Sequence, residues 1–243
     1  MKFMLGTILR SIKETPVLNE LYRQYTELKI ARPYRGKSIR ETFSHIYSNH
    51  KWGSEESVSG SGSDLSQTAT IIKEIPELIE RYNIQSLLDV PCGDFNWMKE
   101  INLSKLNYTG GDIVPQLIIE NNRLYGEKMK RFISLDLVND DLPKADLILV
   151  RDCFVHLPLG SINQAIKNIK NAEIKYILTT TFPRSRRNYD ITTGNWRPLN
   201  LCKEPFSFGK PIEIINENCT ESFGQYNDKS LGLWSVEEIK NLH

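Results

Sequence analysis

Long apolar runs are absent from this chain of 243 residues, and so is a surplus of either charge. The apolar stretch at residues 1–9 is too short to span a bilayer and lacks a small-residue cleavage site. Neither a transmembrane segment nor a signal peptide is therefore expected. With 31 basic and 30 acidic side chains the net charge is +1, which leaves no broad field for a polyanion and argues against a nucleic-acid binder. Cysteine is sparse. Cys92, Cys153, Cys202 and Cys219 are widely spaced with no C-x-x-C, so no metal site is expected and a reducing cytoplasm is the economical compartment. Internal repeats are missing, which excludes a repeat array. The signatures G-x-G-x-x-G and G-x-x-x-x-G-K-[ST] do not occur, which disfavours a pyrophosphate cradle.

What is present reads as one catalytic-size domain with an appendage. Residues 1–64 form the expected appendage and residues 65–243 the main domain. Within the first segment, Ile8, Leu9, Ile12 and Val17 fit an amphipathic helix, and Leu18, Leu21, Tyr22, Tyr25 and Leu28 share another helical face. A second short helix is expected over 38–48. A Gly/Ser-rich loop at 52–63 follows, with Gly53, Gly60 and Gly62 as bending points for a lid. Ser63 and Asp64 mark a helix start, with Gln67 near a capping-box position. That helix N-terminus would favour an anion.

From residue 65 the pattern alternates. Helices are expected over 65–82, 115–127 and 161–171, and strands over 86–90, 107–112, 132–136, 145–150 and 175–181. Residues 210–215 and 231–235 supply a terminal strand pair. This order predicts an α/β, doubly wound, Rossmann-like and mostly parallel seven-stranded sheet with helices on both faces. Ligands of such sheets lie beyond the carboxyl ends of the strands.

Acids stand at those ends. Asp89 opens the turn Asp-Val-Pro-Cys-Gly93, Asp112 follows 23 residues later, and Asp136 and Asp152 end the next two strands. A carboxylate about 20 residues past a glycine turn suits a ribose diol. The set Asp89–Gly93, Gly111-Asp112, Leu135-Asp136 and the run 146–152 with His156-Leu157 resembles the class I S-adenosylmethionine-dependent methyltransferases. The family loop is acid-x-Gly-x-Gly-x-Gly. Here Pro91 replaces the first glycine and Phe95 the last, while Gly93 is kept.

The resemblance implies S-adenosylmethionine as cofactor, S-adenosylhomocysteine as product, and no metal. It places Asp89, Pro91, Gly93, Asp112, Ile113, Asp136, Leu137 and Arg151 around the cofactor, and Asp152 beside the transferred methyl. Asp152 and His156 stand four apart, so on a helix they would share a face, with the carboxylate orienting the imidazole as a base. The alternative is that His156 only packs the helix end. Trp52, Arg184, Arg187, Trp196 and Arg197 are expected to bind the acceptor, the arginines as forks for an anionic group.

A narrower similarity, carried by residues 52–68 and 195–197, is to small methyltransferases that tailor polysaccharides, including capsules. It implies transfer to an oxygen of a small polar acceptor. That acceptor would be a sugar hydroxyl or a sugar-linked phosphate or phosphoramidate of a bacterial surface polysaccharide. Alternatives are a protein or small-metabolite acceptor, or a cofactor-degenerate binding module. Monomer and homodimer both stay open.

Overall fold

A computed structural model describes Lys29 and residues 32–240. The helical faces expected over residues 1–28 lie outside the described residues. Seven strands form one sheet: β1 (Ser86–Asp89), β2 (Asn107–Asp112), β3 (Lys130–Ser134), β4 (Leu147–Val150), β5 (Tyr176–Thr181), β6 (Glu213–Asn216) and β7 (Ser230–Ser235). Their order is β3-β2-β1-β4-β5-β7-β6. Strands β1 to β5 are parallel, and β7 is antiparallel to both of its neighbours, so the sheet is mixed.

Among the described residues the four long helices are α1 (Ile39–Ser48), α2 (Leu65–Arg81), α3 (Pro115–Tyr125) and α4 (Leu159–Asn171). Strand β4 shows why both faces are covered. Its four residues, Leu147 to Val150, are all fully buried, as expected of a central parallel strand. Alternate side chains point to opposite faces. Leu147 and Leu149 join Ile71, Ile75 and Leu78 of α2, while Ile148 and Val150 join Ile162, Ala165, Ile166 and Ile169 of α4. Truncating any one of these leucines or isoleucines to alanine would cost about 2–5 kcal/mol. No described helix is long and apolar enough to cross a membrane.

Two helix starts differ in chemistry. At α1, Ser38 Oγ accepts from Glu41 N at 3.2 Å and Glu41 Oε2 accepts from Ser38 N at 2.7 Å, a complete capping box. At α2 the expected box does not form. Gln67 turns instead to Thr220, through its side-chain amide at 2.7 Å. Glu56 Oε1 takes the N–H of Leu65 at 2.7 Å, so an acid of the chain itself fills the position expected to attract an external anion.

Candidate functional site

The strand order reverses between β1 and β4, and a cavity of about 490 Å³ opens beyond their carboxyl ends. Asp89, Pro91, Gly93, Asp112, Ile113, Asp136, Leu137, Arg151, Asp152 and His156 all line it, as do Trp52 and Trp196. Asp89 is buried and accepts from Tyr108 Oη at 2.6 Å. Burial pushes its pKa up to about 7 against that hydrogen bond. Asp112 is also buried, accepting from Gly93 N at 3.1 Å and Val114 N at 2.9 Å. Burial pushes its pKa up to about 6, against these backbone donors. Asp136 lies two residues beyond β3, which starts and ends earlier than expected. It still reaches the site, because its Oδ1 accepts from Val138 N at 2.9 Å and closes a turn that brings Leu137 and Val138 to the wall.

The departures from the family loop do not fill the cavity. Phe95 stands where the resemblance places the last glycine. Its φ of +59° lies in the left-handed region that a glycine enters freely. Its ring turns into the core, 5.1 Å from Phe132 and 5.3 Å from Tyr108 between centroids.

Residues 54–63 roof the site. Asp94 accepts from Ser57 Oγ at 2.9 Å, from Val58 N at 2.9 Å and from Ser59 Oγ at 3.3 Å. Gly93 has φ +54°, and a Cβ there would meet Ser59 Oγ at 2.3 Å. Gly93→Ala is therefore expected to lower the melting temperature by about 2–6 °C, by left-handed strain plus displacement of the roof. Adding Ser59→Gly should restore part of that loss in scanning calorimetry. An unchanged melt for the single variant would refute the contact.

At the far end, β4 runs into Asp152, whose φ is +50°. The residues after it form a 3-10 turn, Phe154–His156, not the α-helical turn expected, so Asp152 and His156 do not share a helix face. Asp152 does not orient the imidazole either. Its Oδ2 accepts from Lys229 Nζ at 2.5 Å. Burial opposes its charge, but Lys229 and Arg151 outweigh it and hold the pKa down at about 2.

His156 is oriented by a main-chain group. Its Nδ1 lies 2.7 Å from Asn195 O, an acceptor only, so Nδ1 carries the proton. Nε2 then keeps its lone pair, with no partner among the described residues. The ring stacks on Trp52 at 4.2 Å, and Trp52 meets Phe43 of α1 at 5.6 Å. Burial pushes the imidazole pKa down to about 4, with Arg197 and Lys229 acting in the same direction.

The arginine expectations are corrected. Arg184 and Arg187 are exposed and do not line the cavity, and Arg184 pairs with Asp228 at 3.5 Å. Arg197 is fully buried and binds the carbonyls of Phe154, Val155 and Leu157. Arg151 does line the cavity, but Glu217 holds it at 2.6 Å and Gly62 O at 2.7 Å.

Sequence reasoning missed Lys229, Glu217, Tyr226, Phe182 and Arg40. Lys229 is 4% exposed and also lies 3.6 Å from Glu217. Tyr226 and Phe182 line the cavity, with Trp196 4.7 Å from Tyr226. Arg40 on α1 donates to Ile113 O at 2.7 Å, tying that helix to the turn after Asp112. Only local hydrophobicity could have flagged Phe182. The charged pairs span 66 and 77 residues and leave no local pattern.

No protein-family model matches the chain, and no curated protein matches it in sequence. Solved structures do match. PigF with SAH superimposes with a TM-score of 0.55 at 14% identity, covering 88% of this chain and 70% of that one. A 1,6-didemethyltoxoflavin-N1-methyltransferase from Burkholderia thailandensis, with bound 1,6-didemethyltoxoflavin and S-adenosylhomocysteine, gives 0.52 at 14% identity, covering 81% and 86%. N-methyltransferase NodS from Bradyrhizobium japonicum WM9 gives 0.52 at 14% identity, covering 71% and 98%. The chain therefore has the Rossmann-like fold of the class I methyltransferases.

Proposed function

We propose that this chain is an S-adenosylmethionine-dependent methyltransferase that methylates a hydroxyl oxygen of a small, neutral, ring-shaped acceptor, a sugar being the class that fits. One observation carries the reading. A neutral imidazole with an open Nε2, that of His156, shares one cavity with the strand-end carboxylates Asp89, Asp112 and Asp136.

The residues fit the cofactor. Asp112 spends one backbone donor on each oxygen, which leaves each able to accept a ribose hydroxyl. Ile113, Leu137 and Val138 offer apolar wall for a purine, and Asp89 favours the positively charged end. When bound, S-adenosylmethionine supplies an electrophilic methyl on a sulfonium. The chain's own work is to align the acceptor and take its proton. His156 Nε2 is the acceptor for that proton. Asp152, ionised and bridged to Lys229, offers a carboxylate to a neighbouring hydroxyl.

The acceptor side is walled by Trp52, Phe182, Trp196 and Tyr226. Flat aromatic faces suit the apolar face of a sugar ring. Among the described residues, the lining lysine and arginine side chains are Lys229 and Arg151, and each is paired with a carboxylate. That favours a neutral hydroxyl over a sugar-linked phosphate or phosphoramidate.

Calorimetry with S-adenosylmethionine tests the cofactor, and absence of binding at millimolar concentration would overturn the reading. Methyl transfer from labelled cofactor to a panel of methyl glycosides and sugar phosphates tests the acceptor. Methylation confined to the phosphates would sink the neutral-hydroxyl assignment. The pH dependence follows from Asp112, whose carboxylate form is the one that accepts hydroxyls. Below its pKa of about 6 it is protonated, so cofactor affinity should fall as pH drops. The loss is about tenfold per pH unit below that midpoint, read by calorimetry across the range.

A further inference from the structure

The turn that carries His156 is held along its whole length by one short loop. The carbonyls of Phe154, Val155, His156 and Leu157 all accept from residues 194–197. Gly194 N donates to His156 O at 2.9 Å, and Arg197 N to Val155 O at 3.1 Å. Arg197 Nη1 lies 3.2 Å from both Phe154 O and Val155 O, and Nη2 lies 2.8 Å from Leu157 O. Between these, Asn195 O takes the imidazole proton. The guanidinium is fully buried, so its planar fork is fixed against carbonyls with no solvent to compete.

We propose that Arg197 is a positioning residue, which clamps the Phe154–Leu157 turn so that His156 is kept as its Nδ1–H tautomer with Nε2 presented to the acceptor. The proposal rests on the reading of His156 as the base. Arg197 acts through the turn and is not among the residues that line the cavity. Its placement also carries a charge effect. His156 is faced by Asp152 at the end of β4, by Lys229 ahead of β7, by Arg197 from the loop and by the uncharged ring of Trp52. Asp152 favours the protonated ring, while Lys229 and Arg197 disfavour it. Removing Arg197 therefore both loosens the turn and lets the ring take a proton more readily.

The test uses the whole chain with isotope-labelled histidine and long-range proton–nitrogen spectra, which report tautomer and titration of each imidazole. The chain has 4 histidines, and His156→Gln identifies the signal of His156. In the unaltered protein, His156 should be a single Nδ1–H tautomer, neutral between about pH 5 and pH 8. A dominant Nε2–H tautomer would overturn the proposal without any variant. In Arg197→Met the ring should exchange between tautomers and titrate about one pH unit higher. In Arg197→Lys the charge stays but the fork is lost, so the tautomer should loosen with little change in titration. Unchanged tautomer and titration in Arg197→Met would also overturn the clamp.

If Arg197→Met does not fold, Arg197→Lys and the unaltered chain still decide the matter. With an acceptor in hand, the folded variants should lose turnover roughly tenfold to hundredfold with cofactor affinity kept. Failure of the parent reading looks different. It would appear as full turnover in His156→Gln while His156 of the unaltered chain keeps the Nδ1–H form.

Discussion

Replacing His156 with glutamine is expected to lower turnover about 10²–10⁴-fold, the range contributed by a positioned general base. Glutamine can still donate to Asn195 O and fill most of the space against Trp52, but it has no basic nitrogen. The loss should therefore appear in kcat, with cofactor affinity within about twofold of the parent. No hydrogen bond links His156 to Asp112 or Asp136 among the described residues, so the two measurements are separable. Turnover within threefold of the parent would remove His156 from the chemistry. The parent should also hold full activity well below neutral pH at saturating cofactor. Burial and the nearby cations keep the ring neutral down to about pH 4.

Asp112→Ala should weaken S-adenosylmethionine by about 1.5–3 kcal/mol, roughly 10- to 150-fold in Kd. The change removes two charge-assisted acceptors and also strands the N–H groups of Gly93 and Val114 in a buried site. Asp112→Asn is the cleaner control, because it retains an oxygen for one of those donors. In that variant the part of the acid loss centred near pH 6 should vanish as well, leaving only that of Asp89, which is pushed up to about 7. Calorimetry at two pH values reads both effects. An affinity equal to the parent's would show that Asp112 does not hold the ligand.

Much of this was legible in residue order. The continuous apolar run of β4 and its alternation between two helices follow from buried strands needing cover on both faces. The acids Asp89, Asp112, Asp136 and Asp152 lie where parallel strands end, so one cavity collects them. Two kinds of feature were not legible. Spacing of four between Asp152 and His156 reads as a helix face, but a left-handed φ at Asp152 turns the chain before any α-helix begins. Arg197 in a polar loop reads as a fork for the acceptor. Its burial is decided by carbonyls of a turn some 40 residues earlier, a partner no local window contains. Lys229 and Glu217 are hidden for the same reason.

The roof over the cavity is fastened by hydroxyl and amide groups on one carboxylate, Asp94. Such a latch differs in kind from a greasy seal. Each bond broken on opening is replaced by one to water, so the net cost per bond is only about 0.5–1.5 kcal/mol. An apolar roof of the same area would add the cost of wetting it on every opening. Residues 58–63 line the cavity that would hold the proposed cofactor. In the proposed enzyme the serines of this segment would thus let the roof open at low cost.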